Sequence, residues 1–236
     1  MIKSTLLPIM IKAFQISDDV FSIVESIKED IFLGILKPRE RLVELSLSEK
    51  FNVNRSKLRK ALMELERFGL VIIEPNKGAM VRDFTLNEIE QIIQMRKLLE
   101  EQAARSMSLP VTAEFLSDLM ELQKQHEAAV TKEDMRNAFK LNKKFHDALH
   151  NLCENPYVVD LVKYFTTLLD AINSRMLFFG LIKNSPITHL KIISALENED
   201  RDELVYLLSV VKMKSADIYY HEMRKWWANE EEQPSF

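Results

Sequence analysis

Residues 45–82, LSLSEKFNVNRSKLRKALMELERFGLVIIEPNKGAMVR, decide the fold of this chain. Asn54 is suited to cap a helix that begins at Arg55. The buried face of that helix consists of four apolar residues at helical spacing: Leu58, Ala61, Leu62 and Leu65. Gly69 ends it, and two short strands flank the turn signal at residues 75–78. With the short helix that precedes Asn52, this order predicts a winged helix-turn-helix.

The same stretch carries the side chains that suit contact with nucleic acid. Cationic and hydrogen-bonding groups lie on the first turns of the helix and at the tip of the hairpin: Arg55, Ser56, Lys57, Arg59, Lys77 and Gly78. The helical residues are expected to reach bases or phosphates, Lys77 to enter the minor groove, and Gly78 to permit a close backbone approach. The alternative is a solvated basic helix, which would not explain the cation on the hairpin.

Charge is distributed unevenly along the chain. Residues 37–82 contain 11 Lys and Arg against 6 Asp and Glu, whereas the rest of the 236 residues contain 21 against 30. A compact cationic module attached to an acidic body is compatible with DNA binding, because attraction to phosphate needs only a local patch. The single cysteine, Cys153, excludes an internal disulfide and fits a reducing cytoplasm.

The remainder of the chain has helical periodicity. Val20, Ile23 and Ile27 predict a first helix, and the capping pair Thr85 and Glu88 opens a series of helices that continues to about residue 227. The prediction is therefore a mainly α protein in which the winged helix-turn-helix precedes an all-helical bundle of six or so helices. Its parts are an N-terminal arm at 1–17, a DNA-binding domain at 18–83, an effector-binding and dimerisation domain at 84–229, and a tail at 230–236. The apolar runs of the arm are too short to span a membrane, so no membrane partner is expected.

The motifs match a known family. Residues 20–83 resemble the DNA-binding domain of GntR-type bacterial transcription regulators, and residues 85–227 resemble the helical effector domain of the FadR branch, called the FCD domain. The matching positions are Pro38, Leu42, Val53-Asn54-Arg55-Ser56, Leu58-Arg59, Ala61-Leu62, Leu65-Glu66, Gly69-Leu70-Val71 and Pro75-Asn76-Lys77-Gly78-Ala79. Leu45, Asn52, Asn54 and Lys57 depart from the usual pattern, which leaves the operator open.

Polar residues interrupt the apolar faces of the second domain. Asn142 and His146 lie one turn apart on one face, and His189 lies among apolar residues of a later helix. Such groups either find local partners in the core or converge on a ligand. The resemblance implies an effector site here in which Arg96 faces the pocket. Asn173, near the apolar stripe of a long helix, is a further candidate for the border of this cavity; the alternative is that this helix is simply the central element of the core. Arg96 is expected either to bind an effector carboxylate or phosphate, or to pair with Glu100.

Many FCD domains bind a divalent metal through an Asp, a His one turn later and two further His. The corresponding positions are Asn142, His146, His189 and Val211. An amide replaces the carboxylate and Val replaces the fourth ligand, so the resemblance favours a pocket without metal. A zinc, nickel or manganese ion on His146, His189 and Asn142 is the alternative.

These patterns predict a cytoplasmic, ligand-responsive transcription regulator that binds a palindromic operator as a homodimer and responds to a small organic acid or acyl-type effector. Two alternatives are a metal-dependent enzyme built on His146 and His189, and a DNA binder without an effector. The enzyme is disfavoured because no nucleophile elbow, metalloprotease motif or phosphate-binding glycine loop is present.

Overall fold

The computed structural model describes residues 17–173, 185–214, 216–218, 220–221 and 224. The predicted arm, apart from Ser17, and the predicted tail lie outside these residues. The chain divides into two compact units, with a boundary between Thr85 and Leu86; residues from Asp170 at the end of one later helix are grouped with the first unit. In the described part of the chain, no helix is long and apolar enough to cross a membrane.

The first unit contains three helices: α1 (Asp18–Phe32), α2 (Glu44–Phe51) and α3 (Arg55–Arg67). The apolar residues of α1 are buried as their spacing predicts, and they pack on the buried face of α3. Asn52 ends α2 in the left-handed conformation with φ 51°, which Asn adopts more readily than most residues. Only three residues therefore separate α2 from α3, as in a helix-turn-helix.

The wing is a three-stranded antiparallel sheet in the order β1-β3-β2. Its strands are β1 (Arg41–Leu42), β2 (Val71–Glu74) and β3 (Gly78–Val81). The two strands of the hairpin were predicted, and Ile72 pairs with Met80 in it. The third strand, β1, was not predicted, and it places Leu42 opposite Ala79.

The second unit is helical. It contains α4 (Leu86–Arg105), α5 (Ala113–Thr131), α6 (Met135–His150), α7 (Pro156–Asn173), α8 (Ser185–Glu197) and α9 (Arg201–Tyr206), which leads into a π-helical turn at Leu207–Val211. One apolar core of the described residues joins α4, α5, α6, α8, α9 and the π turn. The residues of that core with the least exposure include Phe145, Leu149, Ile192, Leu196, Leu204 and Leu208. The mainly α fold with a small winged module is therefore confirmed.

Arg201 ties the start of α9 to the end of α4. Its guanidinium donates hydrogen bonds to the backbone carbonyls of Ala104 at 3.1 Å, Arg105 at 2.8 Å and Met107 at 2.9 Å. The last carbonyls of a helix have no partner within the helix, and the C-terminal end of the helix dipole favours a cation. One side chain thus caps α4 and fixes the position of α9.

Replacing Arg201 tests this cap. Arg201→Met removes three charge-assisted hydrogen bonds, and we expect it to lower the free energy of unfolding by about 2–4 kcal/mol. Urea unfolding followed by far-UV circular dichroism measures the change. The matched control is Arg105→Met, which removes only a surface ion pair with Glu101 and should cost less than about 1 kcal/mol. Equal losses in the two variants would contradict the capping role.

Candidate functional site

The N-terminal end of α3 presents its polar side chains to solvent. Asn54 accepts a hydrogen bond at 2.9 Å from the backbone N–H of Lys57, so the helix begins at Arg55 as predicted. Arg55 and Ser56 are exposed, and Arg55 forms no ion pair with the residues that the structure describes. A cation beside the first backbone N–H groups of a helix, which are themselves partly positive, makes a surface that attracts phosphate.

Two other cations of α3 are held by acidic neighbours. Lys57 Nζ lies 2.5 Å from a carboxylate oxygen of Asp19, and Arg59 Nε lies 3.0 Å from both oxygens of Glu44. The hydrogen bond from Arg59 to Glu44, together with the negative charge of that carboxylate, raises the pKa of Arg59. Because these side chains are largely exposed, such pairs are weak, and phosphate groups can replace the carboxylates.

The wing carries the remaining predicted contacts at its tip. Lys77 is exposed, and its Nζ lies 2.8 Å from a carboxylate oxygen of Glu74 at the end of β2. Gly78 has φ 87°, and a Cβ added there would meet nothing within 4 Å. Glycine at this position therefore satisfies the backbone conformation and leaves the tip open to a close approach.

In the second unit, the buried carboxylate of Glu100 joins three elements. Arg96 Nη2 and Lys212 Nζ each lie 2.5 Å from its Oε1, and His150 Nε2 lies 3.0 Å from its Oε2. Arg96 and Glu100 are on α4, His150 ends α6, and Lys212 follows the π turn. The Arg96–Glu100 pair is thus present, yet Arg96 Nη1 is buried and has no hydrogen-bond partner in the described part of the chain. This NH2 group of the guanidinium therefore still lacks a hydrogen-bond acceptor.

His189 is oriented by a buried amide. Gln123 on α5 donates from Nε2 to the carbonyl of Pro186 at 3.2 Å, which leaves its Oε1 as an acceptor for His189 Nδ1 at 2.7 Å. His189 Nδ1 therefore carries the proton, and Nε2 of the neutral ring has a lone pair. That nitrogen is buried and has no partner.

Aromatic rings surround His189. Phe145 stacks on it with a centroid distance of 3.8 Å, and the ring of His126 lies 4.9 Å away. His146 meets it edge-on at 5.1 Å. The structure therefore brings His146 and His189 together, as the sequence predicted.

Other predicted site residues are less tightly connected. Asn142 is half-buried one turn before His146 and makes no hydrogen bond within the described residues. Asn173 lies at the end of α7, where its Oδ1 is buried without a partner. Their participation in effector binding stays a prediction.

The π turn determines which residue of the last helix faces the cluster. The N–H of Lys212 bonds to the carbonyl of Leu207 at 2.9 Å, a spacing of five residues instead of four. Many FCD domains have a fourth metal ligand on the last helix, and counting along a regular helix gives Val211 as the corresponding position of this chain. The extra residue in the turn instead brings Lys212 to Glu100, while Val211 packs against the apolar core.

Three residues of the site were missed from the sequence: Gln123, His126 and Lys212. Gln123 and His126 continue the helical face of buried Leu119, so polar residues within the apolar stripe of α5 were the available signal. No sequence signal indicated Lys212, because regular helical counting places Val211 at the position that faces the cluster.

Burial keeps the imidazoles neutral and leaves the carboxylate charged. Desolvation lowers the pKa of His146, His150 and His126, and it lowers that of His189 to about 2. The charge of Lys212 lowers the pKa of His146 and His189 further. Burial alone would raise the pKa of Glu100, but the positive charges of Arg96 and Lys212 more than offset this effect and hold it well below its usual value.

The residues present do not fit a divalent metal ion. Within the described part of the chain, no three His, Cys, Asp or Glu side chains form a group that could hold one. His146 and His189 offer two imidazoles, but the nearest carboxylate, Glu100, is already bound to Arg96, Lys212 and His150. The ammonium of Lys212 would also repel a dication placed beside these histidines.

The first unit has the helix pair and wing of a DNA-binding module, and the second unit is a helical bundle with a buried polar cluster. These are the features of a transcription regulator of the winged helix-turn-helix class. Two family comparisons agree with this class. Residues 21–81 match "Bacterial regulatory proteins, gntR family", and residues 91–210 match the FCD domain. The chain belongs to the FCD-containing GntR family of bacterial regulators.

Two relatives are named as transcriptional regulators, and one solved structure has a similar fold. The chain is 28% identical over 144 residues to the uncharacterized HTH-type transcriptional regulator YdhC of Bacillus subtilis (strain 168), a match that covers 61% of this chain and 64% of YdhC, just under two thirds of its length. It is 25% identical over 179 residues to the HTH-type transcriptional repressor RspR of Escherichia coli (strain K12), covering 75% and 78% of the two chains. The structure of E. coli McbR/YncC matches with a TM-score of 0.77 at 18% identity, covering 88% of this chain and 99% of that one, which shows the shared fold.

The buried histidines make the stability of the second unit depend on pH. Their pKa values are lower in the folded chain than in the unfolded chain, so the unfolded state binds more protons below about pH 6.5. Stability is therefore greatest above this value and falls as the pH is lowered. Each histidine that stays neutral in the folded state costs about 1.4 kcal/mol at one pH unit below its unfolded pKa.

A matched pair of variants measures this effect. His189→Asn keeps an N–H for Gln123 but cannot titrate, so urea unfolding between pH 7.5 and 5.5 should show an average slope smaller by about half a proton. His221→Asn changes an exposed histidine and should leave the slope unaltered. A slope in His189→Asn equal to that of the wild type would show that His189 is protonated in the folded state.

Proposed function

We propose that this regulator represses transcription as a homodimer on a palindromic operator, and that a small organic acid or acyl-type effector bound in the second unit controls it. The observation that carries the DNA-binding part is the capped start of α3, where Arg55 and Ser56 are exposed beside the helix N-terminus. Lys57, Arg59, Lys77 and Gly78 extend the same surface, and their ion pairs are exposed enough to exchange for phosphate.

The proposal of a dimer follows from the size of the reading element. One recognition helix reaches only a few base pairs, whereas two copies related by a two-fold axis read two half-sites and multiply the discrimination. A two-fold symmetric protein fits a palindromic DNA sequence for the same reason. The printed name of the relative RspR, a transcriptional repressor, supports repression as the mode of action. Because operator DNA lies in the bacterial cytoplasm, we expect the protein to act there.

Buried groups without partners support an effector and count against a DNA binder that lacks one. Arg96 Nη1, His150 Nδ1 and His189 Nε2 are all buried, and none of them has a hydrogen-bond partner among the residues that the structure describes. Leaving each such group unsatisfied costs about 1–3 kcal/mol, which a bound molecule of matching polarity would recover. An effector that binds one arrangement of the two DNA-binding units more tightly than another would shift operator affinity by that difference.

DNA selection tests the operator part of the proposal. The full chain should enrich an inverted repeat from a pool of random duplexes at low salt, and the enriched duplex should bind saturably in a gel shift. Loss of a base or phosphate contact in Arg55→Ala should weaken binding by about 1–3 kcal/mol, or roughly 5- to 150-fold. In Lys77→Ala, the slope of log affinity against log salt should fall by about 1.

The control for both variants is Lys124→Ala, which removes an exposed cation from α5 and should change neither affinity nor salt slope. Enrichment of a single half-site would contradict the dimer. If no sequence is enriched and no fragment shifts at low salt, the DNA-binding function itself is wrong.

A further inference from the structure

The buried polar cluster differs from a metal site in one respect that bears on its ligand. A positive charge of the chain itself, the ammonium of Lys212, lies against Glu100 and close enough to His146 and His189 to lower their pKa values. The π turn at Leu207–Val211 brings it there in place of the next inward residue of a regular helix. The lysine therefore supplies a positive charge of the chain itself at the carboxylate that also contacts His150.

We infer that Lys212 replaces the metal ion of this site, so that the regulator binds a small carboxylate effector without any metal, through Arg96 and Lys212. This inference rests on the proposed function, since it describes how the effector of that regulator is held. It follows from the place of the lysine, the unpaired nitrogen of Arg96 and the lack of a ligand set for a dication.

Arg96 supplies the first part of the anion site. Its side chain is 2% exposed, Nη2 is bound to Glu100, and Nη1 is buried without an acceptor. Guanidinium groups bind carboxylates through parallel N–H donors, and a charged donor in a buried place forms a strong hydrogen bond. A carboxylate oxygen at Nη1 would complete the hydrogen bonding of this side chain.

Lys212 supplies the second part. Its side chain is 18% exposed, so it borders the cluster and remains close to solvent, from which a small anion can enter. A metal ion contributes to carboxylate binding chiefly through positive charge, and an ammonium provides charge together with N–H donors. Glu100 orients both cations, because its Oε1 contacts Arg96 and Lys212.

The histidines indicate a second polar group on the ligand. His189 Nε2 and His150 Nδ1 each carry a lone pair in the neutral ring, because Gln123 and Glu100 fix the proton on the other ring nitrogen. Neither nitrogen has a partner. A hydroxyl group can donate to such a nitrogen, whereas a carboxylate cannot. The cluster therefore favours a hydroxycarboxylate over the same acid without its hydroxyl.

Metal content tests the first half of the inference. Full-length protein is dialysed against a chelator, then against NiCl2 or ZnSO4, then against buffer, and its metal is measured by mass spectrometry. The expected result is well below one ion per chain. One ion per chain that is lost in His189→Asn would overturn the inference, because it would show that the imidazoles bind metal despite Lys212.

Ligand binding to the chelator-treated protein tests the second half. Glycolate and acetate differ by one hydroxyl, so glycolate should bind more tightly by calorimetry and raise the melting temperature more. Lys212→Met should weaken glycolate binding by at least tenfold, while the matched control Lys214→Met, on an exposed residue of the same segment, should bind like the wild type. Lys212→Arg keeps the positive charge and should retain glycolate binding. This variant tests the role of the charge even where Lys212→Met does not fold.

The outcomes separate this inference from the proposed function. If the wild-type chain binds its selected operator but binds glycolate only after metal is added, or binds neither glycolate nor acetate, the inference is wrong and DNA binding stands. Equal binding of acetate and glycolate would overturn the role of the histidine lone pairs. Failure to bind any operator would instead contradict the proposed function.

Discussion

The second unit depends on the buried carboxylate of Glu100. It is a single acceptor group shared by Arg96 on its own helix, His150 at the end of α6 and Lys212 beyond the π turn. Removing a charge of this kind from water costs several kcal/mol, which only close partners can offset. Loss of Glu100 would leave two cations facing each other in the interior. The carboxylate therefore sets both the packing of these three elements and the orientation of the two cations.

Ion pairs have a different role in the first unit. Asp19, Glu44 and Glu74 each contact a cation of the recognition surface, but the participating side chains are substantially exposed to water. An exposed pair contributes little to stability, so it can open when phosphate approaches, whereas a buried pair persists because no solvent replaces it. These carboxylates keep the surface partly neutralised, and under the proposed function DNA would displace them before it gains the full attraction of the cations.

Local patterns in the sequence were sufficient for the fold of the first unit. The cap at Asn54, the apolar spacing of α3 and the turn at residues 75–78 are short-range signals, and the structure contains the helix and hairpin that they predict. Strand β1 could not be predicted, because two residues show no alternation and their partners, Met80 and Ala79, lie far away in the sequence. In the second unit, the pairing of Arg96 with Glu100 was one of two alternatives that helical spacing left open.

The position of Lys212 shows why helical periodicity cannot predict which side chain faces the interior across a π turn. A helix rotates by about 100° per residue, so one additional residue in a π turn changes which side chain faces the interior. Val211 is the residue that regular helical counting places at the cluster, but the bond from Lys212 N–H to the Leu207 carbonyl adds one residue, so that Lys212 contacts Glu100 while Val211 packs against the apolar core. The same turn thus brings a cation of the chain to the buried carboxylate. Under the inference that Lys212 takes the place of a metal ion, the chain itself supplies the cation for an anionic effector, and Glu100 already holds that cation in position.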